Sequence, residues 1–535
     1  MSDFLKSSLF LSTRITQYLY ILGVLFVVFL FVFFNSEDNP LLNQFQIDSE
    51  VYKYCGRTIL DGGKPYLDYF DHKGPLIHFI NALALKLSNK WGILIFDFLL
   101  LGGVLLLSLF SSTRRTGVLI FCLFFILISQ SYEGGNFTEI IGLPLVLISF
   151  LIISNKLRNG AFKLPILLVY LSVSLLIFNK ITYAVPILSF FFIELMFSPN
   201  KTSFFNFLKG ACFLGIVFLF FCFIYVFGFG FNSFQAFLEA SIFFNFRYAS
   251  ENSGFTYLNL FFDSFVGLAY RPHYWFFVFF FICKLILIFN KRENKENQRM
   301  ILFWLFFDLF TLFTVTLGKR GYGHYDLMIL PSLLSLLIFW NSLNVSKLFR
   351  KTFIFIFGIL LLFSIQRINK SLMQTYWRWG ASIHNIPEFI SEKALKPSNQ
   401  FNWATKLKAE VRQMPAITVC KNMCKIYNIL NKKSSSRYFY PVTKLNGELL
   451  LPDYYKEVGE NLVLDEVLIL ETGNLNIRLD SIESRMGKGL TAVYLFSDQI
   501  YGTPFDFYQI REVESVVQTH AKIERPISIT HPSLP

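Results

Sequence analysis

The chain is short of charge, of cysteine and of glycine-rich motifs, and each shortage removes a class of protein. Only 16% of its 535 residues are charged, whereas a soluble globular domain carries about 25%. A soluble reading therefore fails before any motif is considered. Seven cysteines are too few and too scattered for a disulfide framework. Cys122, Cys212, Cys222 and Cys283 fall inside apolar runs and read as small core hydrophobes. Cys420 and Cys424 form a C-x-x-x-C pair without partnering histidines, and a disulfide there stays an open alternative in an oxidising compartment. The C-terminal stretch holds no glycine-rich phosphate loop and no nucleophile elbow. Nor is there an internal repeat of the kind many transporters carry.

What the chain has in abundance is apolar. Hydrophobic residues make up 54% and aromatics 19%, with 67 phenylalanines, and the mean hydropathy is +0.48. A membrane-crossing helix needs about 20 mainly apolar residues. The first such run is Gln17–Phe34, preceded by Lys6 and Arg14. It is too long, and lacks the small-residue cleavage site, to be a removable signal peptide. Further runs lie near 91–111, 117–130, 138–154, 164–179, 182–198, 207–229, 273–290, 300–317, 326–340 and 352–366. Leu76–Leu87 is shorter and amphipathic, and reads as an interfacial helix.

The net charge of +13 does not point to nucleic acid, because the lysines and arginines fall mostly in short loops between apolar runs. With the N-terminus in the cytoplasm, the cytoplasmic loops become Arg114–Arg115, Asn155–Lys163, Pro199–Lys209, Asn290–Arg299 and Asn341–Lys351. All are short and cationic, which satisfies the positive-inside rule. About eleven spans, an odd number, then put everything from 367 onward outside. Past Ile365 the composition turns charged and proline-bearing. Ala416–Val419, Glu466–Glu471 and Ala492–Phe496 read as strands and Lys421–Leu430 as a helix. The expected fold is therefore mainly α: a polytopic helical bundle over 1–366, followed by an extracytoplasmic α/β domain over 367–535.

The densest polar chemistry sits in the first external loop, Asn35–Pro75. Asp48, Glu50, Asp61, Asp68 and Asp71 stand there among Lys64, Lys73, glycines and tyrosines. A connector need only be polar, and a loop of this length with so many placed carboxylates is over-specified for that task. The next external loop reads Tyr132-Glu133-Gly134-Gly135-Asn136-Phe137-Thr138-Glu139. A later one carries Gly321-Tyr322-Gly323-His324-Tyr325, followed by Leu330-Pro331.

Three of these elements carry a resemblance: Asp48-Ser49-Glu50, Gly62-Gly63-Lys64-Pro65-Tyr66-Leu67-Asp68 and Asp71-His72-Lys73-Gly74-Pro75. Together they are similar to the first loop of bacterial membrane glycosyltransferases of the GT-C fold. The branch resembled is the family 39-like group, with the protein O-mannosyltransferases and the lipid A aminoarabinose transferase. The resemblance covers roughly residues 1–365. It implies that Asp48 is the catalytic carboxylate, that Glu139 is the second acidic position, and that Lys73 holds lipid phosphate through the Lys-Gly-Pro element. It also implies that Tyr325, with His324 beside it, faces that phosphate. The donor implied is a polyprenyl-phosphate-linked sugar. The acceptor is a glycolipid, an envelope polysaccharide or a protein on the outer face of a bacterial cytoplasmic membrane.

The residue chemistry agrees with those roles. A carboxylate such as Asp48 can take the acceptor proton while the hydroxyl attacks the anomeric carbon from the face opposite the phosphate, inverting it. Lys73, Arg247, Lys319 or Arg320 can neutralise the departing phosphate. For Arg247 the alternative is a membrane-surface anchor. Glu50, Asp71 and His72 support the loop. A divalent cation at His72 and His324 stays open beside plain hydrogen bonding. Asp97 and Asp308 lie inside apolar spans, where an ionisable group is either functional or paired to a neighbouring helix. Lys284 and Glu194 are expected to snorkel from span ends. Ser434–Pro441 reads as a turn and strand, or as a segment that folds over the site. The competing functions are a transporter or flippase of lipid-linked glycans, drawing on Asp97 and Asp308, and a polymerase of surface-polysaccharide repeats.

Overall fold

The computed structural model describes residues 2–40, 47–159, 164–197, 201–245, 271–290, 293–317 and 323–379, and in the C-terminal part 417–419, 427–428, 431–434, 436–439, 444–445, 448–449, 467–471, 490–500 and 503–512. Arg247, Lys319, Arg320, Cys420, Cys424 and most of the expected helix at 421–430 lie outside these residues. So does the side chain of Glu194. The described chain is mainly helical and divides into two compact units. The first takes Met1–Gln44, Lys73–Gly230 and Ser253–Ile386, and the second takes Phe45–His72, Phe231–Asn252 and Pro387–Pro535. The expectation of one boundary near 366 groups the first loop with the spans, whereas the compact units group Phe45–His72 with the C-terminal stretch.

Helices of the first unit are α1 (Ser2–Asn35), α3 (Pro75–Leu87), α4 (Gly92–Phe110), α5 (Arg114–Ser131), α6 (Thr138–Asn159), α7 (Leu164–Lys180), α8 (Val185–Phe197), α9 (Lys201–Phe229), α11 (Pro272–Ile288), α12 (Lys295–Leu317), α13 (Leu330–Ile338) and α14 (Lys347–Trp379). The second unit adds α2 (Ile47–Leu60) and α10 (Phe231–Leu238). Among the described residues, seven stretches are long and apolar enough to cross a membrane: Gln17–Asn35, Gly92–Phe110, Thr138–Arg158, Ile166–Phe190, Leu208–Phe229, Lys295–Thr316 and Lys347–Ile365. The chain is thus a multi-pass membrane protein. The eleven apolar runs are not eleven equal spans. Thr116–Ser131, Pro272–Ile288 and Gly323–Ile338 form shorter apolar helices, and the runs at 164–179 and 182–198 join through a 3-10 turn at Ile181–Ala184.

Packing is tightest around α6 and α12, which lie against each other, and α12 also meets α8 and α11. Phe150 of α6 packs edge-on to Phe307 of α12, with ring centroids 4.9 Å apart. The fully buried Trp304 donates its indole N–H to Ser154 Oγ at 2.9 Å, meeting the need of a buried indole for an acceptor. Two thirds of the α12 span (67%) is covered by protein, against 6% of the α9 span. On α9, Phe213, Ile216, Leu219, Phe220, Phe223 and Phe227 all face outward. Cys212 lies on this uncovered helix, so it is not the core residue expected of it.

One span-embedded pair corrects the sequence reading. Lys284 of α11 does not snorkel. Both its side chain and that of Asp308 of α12 are 1% exposed, with Nζ 2.9 and 2.7 Å from the two carboxylate oxygens. The same ammonium donates to the Ser332 carbonyl of α13 at 3.0 Å. In hydrocarbon an ammonium without partners is prohibitive, so the pair ties three helices together.

In the second unit a four-stranded sheet runs in the order β1 (Ile417–Val419), β4 (Val467–Glu471), β6 (Thr503–Glu512), β5 (Leu490–Ile500). A two-stranded pair, β2 (Lys444–Leu445) and β3 (Glu448–Leu449), is separate. β1 pairs parallel to β4, and the other pairings in the larger sheet are antiparallel. The strands expected at 416–419, 466–471 and 492–496 coincide with β1, β4 and part of β5. The strand β6 carried no sequence expectation.

Candidate functional site

The first unit gathers basic and phenolic groups about one buried carboxylate. Glu139 stands in the first turn of α6, where the helix dipole favours an acid. Its oxygens accept from the Thr138 hydroxyl at 3.0 Å, from Lys180 Nζ at 3.2 Å and from the Tyr183 hydroxyl. Lys180 and Tyr183 arrive there through the break between α7 and α8: Lys180 takes an extended conformation (φ −158, ψ 109), and the 3-10 turn follows it. Lys180 Nζ also lies 3.0 Å from the Tyr183 oxygen and 3.9 Å from the centroid of the Tyr325 ring. That places a cation on an aromatic face in a largely desolvated pocket, where such contacts are strongest.

Lys73 joins this group by its backbone. Gly74 N–H bonds the Asn179 carbonyl at 3.1 Å, and a Cβ on Gly74 would run into the backbone of Phe178 and Asn179. Only glycine lets the Lys-Gly-Pro element press so closely on the end of α7. Asn179 in turn donates to the Thr138 carbonyl at 2.7 Å. The positive charges of Lys180 and Lys73 both reach the Glu139 carboxylate.

The loop leading into α6 is held in an unusual backbone. Glu133, Gly134, Gly135 and Asn136 all have positive φ (40, 93, 90 and 53), a costly run for the two that carry side chains. Asp97 secures it, accepting from the Tyr132 hydroxyl and the Asn136 N–H, each at 2.9 Å. Asn81 and Asn136 exchange side-chain hydrogen bonds at 2.9 and 3.0 Å. Glu133 then reaches the 3-10 turn Gly323–Ile329, bonding the Gly323 N–H at 2.9 Å and His324 Nδ1 at 2.7 Å. The His324 ring stacks on Phe137 at 4.1 Å and 6°. Asp326 of the same turn receives the Arg271 guanidinium, His273 Nε2 at 2.8 Å and the Tyr274 hydroxyl at 2.8 Å. Burial alone would lower the Arg271 guanidinium, and the Asp326 carboxylate outweighs it, holding that group above its ordinary value.

In the second unit, Asp48 lies in the first turn of α2, half-buried, and among the described residues it has no hydrogen-bond or ion-pair partner. Glu50 is buried and committed, accepting from Lys53 Nζ at 2.7 Å and from Asn428 Nδ2 at 2.7 Å. Asp71 is buried and accepts the His72 N–H at 2.7 Å, with His72 Nδ1 3.4 Å away. Asn245 holds the His72 carbonyl at 2.7 Å. The His324 ring hydrogen-bonds Glu133, a carboxylate of its own unit, whereas the His72 ring stands beside Asp71 with only its main-chain N–H bonded to that carboxylate.

Of the residues singled out in the sequence, Lys73, Glu139, His324 and Tyr325 belong to the first unit. Asp48, Glu50, Asp71 and His72 belong to the second. Lys180, Tyr183, Asp326 and Arg271 carried no sequence assignment. Lys180 stands between two apolar runs, and a lone lysine between runs too close for a real loop was the available signal. No protein-family model matches the chain, and no curated protein matches it. The resemblance to GT-C enzymes therefore stands on the motif residues alone.

Proposed function

We propose that the chain is a membrane glycosyltransferase that moves a sugar from a polyprenyl-phosphate-linked donor to a hydroxyl acceptor at the outer face of a bacterial cytoplasmic membrane. The observation that supports this best is the gathering of Lys180, Tyr183 and Tyr325 about Glu139 at the break between α7 and α8, with the charge of Lys73 reaching the same carboxylate. Two lysines and two phenols beside a membrane surface suit a lipid-borne phosphate, and lysine serves a mobile headgroup as a point charge. In this reading the acceptor oxygen attacks the anomeric carbon as the bond from that carbon to the phosphate oxygen breaks. Asp48 takes the acceptor proton, and the polyprenyl phosphate leaves with its charge met by Lys73 and Lys180. Glu139 holds Lys180 in place through its carboxylate.

Asp97 and Asp308, on which a transporter reading draws, are both engaged by fixed partners. The test uses the full chain in proteoliposomes, with labelled decaprenyl-phosphate-linked hexoses and pentoses and an acceptor extract of bacterial envelope. Asp48→Asn is expected to lower the transfer rate about 10²–10⁴-fold while thermal unfolding stays at the wild-type temperature. Wild-type transfer by that variant would sink the assignment.

A further inference from the structure

Within the second unit, Tyr427, Asn428, Ser434 and Phe439 are fastened along one side of α2. Asn428 Nδ2 donates both to the Glu50 carbonyl at 2.9 Å and to the Glu50 carboxylate at 2.7 Å. The Asn428 carbonyl receives Arg57 Nη1 at 2.9 Å. The Ser434 N–H donates to the Tyr54 hydroxyl at 2.9 Å, and the Tyr54 ring stacks on Phe439 at 4.0 Å and lies 5.2 Å from Tyr427. Beyond α2, the Phe70 N–H bonds the Arg437 carbonyl at 2.7 Å. Arg57 and Asn428 stand 371 positions apart in the chain, and Glu50 and Asn428 stand 378 apart.

The attachment is one-sided. Glu50, Tyr54 and Arg57 are spaced i, i+4, i+7, so they share one face of the helix. At about 100° per residue, Asp48 points away from that face. The C-terminal segment therefore grips the back of the helix whose front carries Asp48. Short amphipathic helices of this length are marginal by themselves, and α2 spans only 14 residues. Its first turn, where Asp48 sits, is held from behind by Asn428 through Glu50.

We propose that Asn428 is a positioning residue, which fixes the first turn of α2 and so the direction of the Asp48 carboxylate, and that Tyr427, Asn428, Ser434 and Phe439 serve to hold that helix rather than to bind acceptor. What Asp48 does once positioned rests on the glycosyl-transfer reading, whereas the holding of α2 does not. Asn428 bonds a main-chain carbonyl as well as a side chain, so its loss loosens the backbone of the turn and not merely one rotamer.

The test takes the full chain in lipid nanodiscs, as wild type, Asn428→Ala, Asp48→Asn and the double variant. Amide hydrogen exchange over residues 47–53 is expected to quicken about tenfold in Asn428→Ala, the loss of a hydrogen bond's protection, with the spans unchanged. Unchanged exchange over 47–53 overturns the proposal. With the same labelled decaprenyl-phosphate sugars, Asn428→Ala is expected to lower kcat about tenfold to a hundredfold at unchanged donor KM. In the Asp48→Asn background it is expected to cost nothing more. A penalty that persists in that background shows that Asn428 acts other than through Asp48, and overturns its positioning role. If wild type transfers none of the sugars, the glycosyl-transfer reading fails separately, and the exchange result alone decides whether Asn428 holds the helix.

Discussion

Gly135 shows how much of the first unit's candidate site is built by single residues. It sits at φ +90, and a Cβ there would meet both Asp97 and the Tyr132 ring. Gly135→Ala combines a disfavoured backbone with a collision at the loop's main support. We expect a loss of about 1–3 kcal/mol, read as a lower unfolding temperature in detergent. Asp97→Asn, which keeps the shape of the side chain, is expected to cost less. The acidic and aromatic wording of this loop was legible in the sequence because it is local. Asp97 was legible only as an anomaly, since its partners lie 35 and 39 positions ahead. Lys180 was missed for a related reason: hydropathy marks where an apolar run stops, not that one extended residue before a 3-10 turn sets a lysine on Glu139.

At the scale of helices, the pair of Lys284 and Asp308 sets the firmest expectation. Removing one member leaves an uncompensated charge in the span. Lys284→Met is expected to destabilise the protein by about 3–5 kcal/mol, and Lys284→Met combined with Asp308→Leu to recover most of that. Thermal unfolding of the three proteins in one detergent checks it; a double variant no better than the single would show that the pair is not the source of the cost. Snorkelling was the natural expectation for a lysine inside an apolar run. What defeats it is burial of the whole side chain beside an aspartate on the next helix, which no local window contains. Span number was limited in the same way, because apolar length alone does not separate a crossing helix from a short one packed in the bundle, as in α13.

For the molecule as a whole, the second unit joins pieces that the sequence keeps far apart. Lys433 Nζ and Asp61 Oδ2 are 3.5 Å apart, and both side chains are about half exposed. Replacing both by cysteine should therefore allow a short bifunctional maleimide to link them within one chain. The expected product is a band of altered mobility on a denaturing gel, absent from Lys433→Cys and Asp61→Cys alone. Its absence from the double variant would contradict the arrangement. Short apolar segments bounded by polar residues made β1, β4 and β5 legible in the sequence as local patterns. The seating of Asn428, Ser434 and Phe439 on α2 was not, since side-chain hydrogen bonds to a main-chain carbonyl leave no periodic trace.

The bareness of α9 has a meaning of its own. Its apolar stretch of 22 residues is about 33 Å long, close to the thickness of a bilayer's hydrocarbon layer. A helix with so few protein neighbours is kept upright by lipid tails and not by knobs and grooves. Its greasiness and length then matter more than the identity of each side chain, so exchanging phenylalanine, leucine and isoleucine along that face is expected to leave the unfolding temperature nearly unchanged. A thinner bilayer would tilt this helix while leaving α12, gripped on several sides, where it stands.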